Sequence, residues 1–221
     1  APLLDHVDDP LRTDLIAKIA RAESDGRRLD PEEVRAFVGL LFIAGGETTD
    51  KAIGNLWWNL LRSPDVLAAV LDDRSRLQAA FSETMRLDAP VVSEDRFTTR
   101  DVEWYGVTLP TGTRVRALIG AANRDPDVFA EPDEFRLDRT DLHLGVERRN
   151  GSAEPGRHGH LGFGIGKHFC LGYQLARAEA VECTNRILDR FPNPRFADPD
   201  QTGPVLRRSM RSLDSLPVAH D

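Results

Sequence analysis

Long apolar runs are missing from this chain. The longest, Phe37 to Ala44, falls far short of the roughly 20 residues that a membrane-spanning helix needs. No leader pattern opens the sequence either, so neither a membrane span nor a secretory route is expected. A basic surplus is also lacking: 36 acidic side chains against 29 basic ones give a formal charge of -7, which argues against nucleic acid as a partner. Cysteine is scarce. The two present, Cys170 and Cys183, would stand roughly 20 Å apart along one helix at about 1.5 Å per residue, too far for a disulfide. Unpaired thiols fit a reducing cytoplasm. Neither a CxxC pair nor an HExxH run occurs, so a tetrahedral zinc site has too few ligands.

What remains is an ordinary composition, 40% hydrophobic and 29% charged over 221 residues, enough for one large domain or two small ones. Leu11 to Ala22 reads as an amphipathic helix closed by Gly26. Asp30, Pro31 and Glu33 then supply a cap, a first-turn proline and a capping-box acid. The helix they start is expected to run from about 31 to 61, mostly buried, until Ser63 and Pro64 break it. Shorter helices follow at Asp65 to Leu71 and at about 75–88. From Arg96 the hydrophobic period changes to two, predicting a small sheet over about 95–120. A loop-like meander and an exposed polar insertion fill 123–159, the insertion beginning at Asp141. A glycine-rich loop occupies 160–172, a helix 171–190, and a terminal hairpin lies between Leu206 and Val218. The class is mainly α with a small β component. The chain begins close to or inside a helical pattern with Ala1 and not methionine, so a piece of a longer protein is expected.

Three motifs carry chemistry. Cys170 sits in FGIGKHFCLG, from Phe163 to Gly172, where glycines bring backbone amides close, His168 and Lys167 are near, and a helix starts just after it. These features favour a sulfur anion as ligand, although a lone cysteine is also compatible with a small buried hydrophobe. A single protein thiolate suits haem iron, whose porphyrin supplies the equatorial ligands. In the long helix, AGGETT at 44–49 places two glycines mid-helix, each costing about 1 kcal/mol relative to alanine. Glu47 and Thr48 could deliver protons there, or the glycines could serve helix packing alone. Glu83 and Arg86, in ETMR, share a helix face.

The order of these motifs, together with NRDPDVF at 123–129 and HLGFGIGKHFCLG at 160–172, resembles the cytochrome P-450 haem-thiolate monooxygenases of the soluble bacterial type. The resemblance spans the chain but only the C-terminal part of the family fold, which implies a P-450 fold with its N-terminal part absent. It implies haem b as cofactor and Cys170 as the axial iron ligand and a catalytic residue. Glu47 and Thr48 become the acid and alcohol of oxygen activation, with Glu83 and Arg86 as support behind the haem. Arg96, His160 and His168 become propionate partners, and Phe163, Gly164 and Gly172 complete the cofactor loop. The family's meander usually adds an arginine to the ExxR pair where this chain has Glu134, leaving Arg136 or Arg139 to substitute. The implied activity inserts one oxygen atom from O2 into a small apolar substrate, with electrons from a ferredoxin and its reductase, in the cytoplasm. Two alternatives stay open: a non-catalytic haem-binding sensor or carrier, and an inactive fragment unable to hold haem alone.

Overall fold

A computed structural model describes residues 4–143 and 158–221 of the chain, which divides into two compact units, Ala1–Glu47 and Thr48–Asp221. In the first unit, helix α1 (Leu15–Arg21) starts at Asp14, whose carboxylate accepts from the Ala17 amide. A short ribbon, β1 (Glu23–Ser24) and β2 (Arg27–Arg28), turns through Asp25 and Gly26 into α2 (Pro31–Gly46). The capping box is present: Asp30 accepts from the Glu33 amide, and the Glu33 side chain accepts from the Asp30 amide. Those bonds satisfy amides that the first turn leaves without helical partners.

One continuous, mostly buried helix over 31–61 is not what forms. Glu47, at φ -120 and ψ -30, ends α2, and α3 runs from Thr48 to Leu61. Two consecutive weak helix formers, Gly45 and Gly46, followed by β-branched Thr48, make this the cheapest place to interrupt the ladder. Burial differs as well. Val34 is the one buried residue of α2, and Phe42 and Ile43 are 77% and 76% exposed, because α1 and a four-residue ribbon offer too little surface to cover a 16-residue helix.

The second unit is built on α3, α5 (Leu77–Leu87) and α7 (Tyr173–Arg190), which pack on one another. Leu56 and Leu60 from α3, Leu77 and Phe81 from α5, and Ala180 and Leu188 from α7 form the middle of the core. Each large apolar side chain buried there contributes about 1.5–3 kcal/mol. Helix α4 (Pro64–Asp72), with proline in its first turn, and a 3-10 turn at Arg74–Arg76 lead into α5. The expected small sheet is two antiparallel pairs: β3 (Glu94–Phe97) with β6 (Arg114–Ala117), and β4 (Val102–Trp104) with β5 (Val107–Leu109). Helix α6 (Ile119–Ala122) follows. After α7, β7 (Arg195–Phe196) pairs with β10 (Val218–Ala219), and β8 (Val205–Arg207) forms a hairpin with β9 (Met210–Ser212). Most of the expected insertion at 141–159 lies outside the described residues. Among those residues no helix is long and apolar enough to cross a membrane.

Candidate functional site

Helix α5 carries the charged centre of the second unit. Arg86 and Glu83 are both fully buried, three residues apart on one face. The guanidinium grips the carboxylate with two bonds, Nε to Oε2 and Nη2 to Oε1, each 2.8 Å. Its other hydrogens go to the carbonyls of Asn123 at 2.9 Å, Pro132 at 2.7 Å and Glu134 at 3.0 Å. A second guanidinium, from Arg139, donates Nε to Glu83 Oε1 at 2.6 Å and is equally enclosed. Of the two substitutes open from sequence, the Arg139 side chain therefore joins the pair. Arg136 donates only its backbone amide to Glu83, at 3.2 Å, and turns its side chain outward to Asp138 and Glu131. Glu134, standing where an arginine is common, contributes a carbonyl that accepts from Arg86 and Arg139, each at 3.0 Å.

The cysteine loop is fastened to this centre. Leu161 donates its amide to Asn123 Oδ1 at 2.7 Å, and Asn123 donates its side-chain amide to the Met85 carbonyl at 3.3 Å. Phe163, 9% exposed, packs on Phe81 of α5 and on His160 and Tyr173, with ring centroids 6.2, 5.8 and 6.2 Å away. Gly162 lies so close to α5 that a Cβ there would stand 2.5 Å from the Met85 carbonyl oxygen, a distance only glycine avoids. Gly164 and Gly166 then take φ of +72° and +73°, left-handed conformations that turn the chain back through a 3-10 turn at Gly166–His168. That reversal lets the Cys170 amide donate to the Phe163 carbonyl at 2.9 Å. Cys170 is free, half-buried, and followed after two residues by α7, whose N-cap is Gly172. Cys183, within α7, is also free.

The structure thus brings Glu83, Arg86, His160, Phe163 and the cysteine loop together. His160, expected from the resemblance as a propionate partner, has a ring only 5% exposed, and desolvation pushes its pKa down to about 4, the attraction of Glu83 notwithstanding. It is neutral at physiological pH, and its Nδ1 accepts the Gly162 amide at 3.1 Å. What it supplies is support for the loop and not positive charge. The contacts of Arg96 are the Asp95 carbonyl, 2.9 Å away, and the Glu94 carboxylate at 3.6 Å, on an exposed strand. His168 is exposed on the 3-10 turn, Thr48 opens α3, and Glu47 belongs to the other unit. Asn123 is the residue that sequence reasoning missed: its motif was recognised, but nothing local tells that its amide bridges α5 and the loop.

Burial of His160 makes stability pH-dependent with a definite sign. In the unfolded chain the ring gains its proton as pH falls through about 6.5, whereas in the fold it does so only near pH 4. The unfolded state therefore binds the extra proton first, and stability is lost as pH falls from about 6.5 to about 4, by up to roughly 3 kcal/mol. Urea unfolding at a series of pH values is expected to show this loss in the parent and not in His160→Gln.

Among the described residues no group of three or more His, Cys, Asp or Glu side chains could hold a bare metal ion. Cys170 is the thiol that the glycine loop presents, beside Gly164 and Gly166 in left-handed conformations. The comparisons with known proteins identify the family. The family model for cytochrome P-450 matches residues 5–204. Cytochrome P-450 107B1 of Saccharopolyspora erythraea is 40% identical over 207 residues, which is 93% of this chain and 47% of that protein. The ligand-free structure of cytochrome P-450 TbtJ1 superposes with a TM-score of 0.81 at 35% identity, over 96% of this chain and 52% of the other. P-450BioI, in complex with an acyl carrier protein ligated to hexadec-9Z-enoic acid, gives a TM-score of 0.81 at 32% identity over 100% of this chain and 52% of the other. The chain thus spans about half the length of the relatives it matches. Within that span, the buried ExxR pair, the arginine that completes it and the glycine-framed cysteine fall in one fold, and the chain belongs to the cytochrome P-450 family.

Proposed function

We propose that this chain is the haem-ligating part of a monooxygenase that inserts one oxygen atom into a small apolar substrate. The observation that carries the reading is Cys170, a half-buried free thiol on a loop held by Gly162, Gly164 and Phe163 against a buried ion cluster. Cys170 would hold a haem b iron through its sulfur, and that group would supply reductive activation of dioxygen, favoured by the thiolate's electron density.

This chain's own residues position and protonate. The Cys170 amide is committed to the Phe163 carbonyl, which fixes the backbone that aims the sulfur. The exposed guanidinium of Arg96 and the ring of His168 suit haem carboxylates as donors, and Gly172 leaves room beside the sulfur loop, with nothing within 4 Å of an added Cβ. Glu47 and Thr48 stand at the interruption between α2 and α3, where the Glu47 carboxyl and the Thr48 Oγ1 would be the groups that hold and pass protons. Thr48→Ala is expected to lower product formed per electron pair by about 10²-fold or more, within the about 10²- to 10⁴-fold range of acid–base groups. Oxygen consumption continues in that variant, so the ratio of product to oxygen consumed is the measurement. An unchanged ratio removes Thr48 from proton delivery.

Electrons come from a ferredoxin and its reductase, and the setting is the cytoplasm. An apolar substrate can arrive free or on an acyl carrier protein such as the one P-450BioI holds. A haem-binding sensor or carrier would keep Cys170 and have no use for the Glu47 and Thr48 pair. Haem titration of the 221-residue chain, followed by the reduced carbon monoxide spectrum and a turnover assay with peroxide over a panel of apolar substrates, tests the reading. A thiolate-type spectrum with oxygenated product is expected. A thiolate-type spectrum without product for any substrate supports the carrier, and failure to bind haem supports the inactive fragment.

A further inference from the structure

Away from the cysteine loop, one buried carboxylate faces more positive charge than it balances. Asp88, 2% exposed, follows the last residue of α5. Its Oδ1 lies 2.9 Å from Arg211 Nε and 3.2 Å from Arg124 Nη2, and its Oδ2 lies 3.9 Å from Arg62 Nη2. The three arginines come from separate segments: just past α3, just past α6, and within β9. Their side chains are 35%, 27% and 35% exposed for Arg62, Arg124 and Arg211, so they stand between the buried acid and solvent.

The acids run out before the cations do. Arg124 has a second partner, Asp133, at 2.5 Å, and also donates to the Leu87 carbonyl. Arg62 spends its Nε on Asn59 Oδ1 at 2.9 Å. The Nη groups of Arg62 and Arg211 have no hydrogen-bond acceptor among the described residues, and the charges acting on Arg62 are one acid, Asp88, against two cations, Arg124 and Arg211. Desolvation, together with those two cations, holds the Arg62 guanidinium below its ordinary pKa. Three guanidiniums against Asp88 and Asp133 leave one positive charge over, and the unspent Nη groups of the partly exposed Arg62 and Arg211 are donors of the kind that suits a pair of oxygens on one phosphorus.

We propose that Arg62, Arg124 and Arg211 form an oxyanion site that takes a phosphate group, with Asp88 as the buried acid that gathers the three guanidiniums. The group is inorganic phosphate or the phosphate of a small monoester. Its binding ties the end of α3 to the β8–β9 hairpin, and it lies outside the haem-ligating machinery.

Phosphorus NMR titrations of the 221-residue chain with inorganic phosphate and with glycerol 3-phosphate, at ionic strength held constant with chloride, test the site. Saturable line broadening is expected for at least one ligand, and the tighter of the two identifies the source. Arg62→Gln is expected to weaken that binding about tenfold, whereas Arg186→Gln, an exposed arginine elsewhere on α7, leaves it unchanged. Arg62→Lys, which keeps the charge and loses the fork, is expected to fall between them and serves if the glutamine variant does not fold. Absence of saturation with both ligands overturns the site, as does binding that Arg62→Gln and Arg62→Lys leave at the parent level.

Discussion

Cys170→Ala is expected to abolish the thiolate-type spectrum of the reduced carbon monoxide complex. Haem affinity should fall by more than the about 10- to 100-fold that removing a mere supporting contact costs a metal site. Loss of folding is not the expected cause. The side chain is half-buried at the edge of the core, and the loop that presents it is held by other groups: Phe163 against Phe81, the Leu161 amide on Asn123, and the close approach of Gly162 to Met85. The urea midpoint of the variant should therefore stay near that of the parent, while the spectrum changes. Cys183→Ala is the matched control, since that thiol lies within α7 and should leave the spectrum unaltered. A parent-like spectrum from Cys170→Ala would take the sulfur out of the role and, with it, the monooxygenase reading.

Local signals were legible where the chain answers to its own neighbours in sequence. The Asp30 capping box, the apolar period of α5 and the glycine pattern ahead of Cys170 follow from backbone chemistry within a few residues, and the family follows from their order. What sequence could not tell depends on partners far along the chain. Arg139 and Arg136 were equivalent candidates for Glu83, and only the path of the meander decides that the guanidinium arriving 56 residues later comes from Arg139. The same path hides Asn123 and the burial of His160, which no local pattern around a loop histidine announces. Glu47 shows the opposite failure. Its apolar surroundings suggest one unbroken helix, and the accumulated weakness of Gly45, Gly46 and Thr48 outweighs that pattern.

The second large effect is expected from Glu83→Gln. This carboxylate accepts two hydrogen bonds from Arg86, one from the Arg139 side chain and one from the Arg136 amide, all where water does not reach. Glutamine keeps the shape and one oxygen, yet it leaves the buried Arg86 guanidinium without a counter-charge and Arg139 with only Asp141, 3.4 Å away. Uncompensated buried charge of this kind costs about 3–5 kcal/mol, which is a large part of the about 5–15 kcal/mol that keeps a domain folded. Arg139→Gln is a milder change. The two-bond grip of Arg86 on Glu83 survives, and the freed carbonyls of Ala130, Glu131 and Glu134 lie on the partly exposed meander, where water can reach them. Urea unfolding of both variants should therefore rank Glu83→Gln well below Arg139→Gln, with the parent highest. Equal losses would mean that the pair on α5 and the arginine from the meander act as separate contacts, and the account of one carboxylate neutralising two cations would fail.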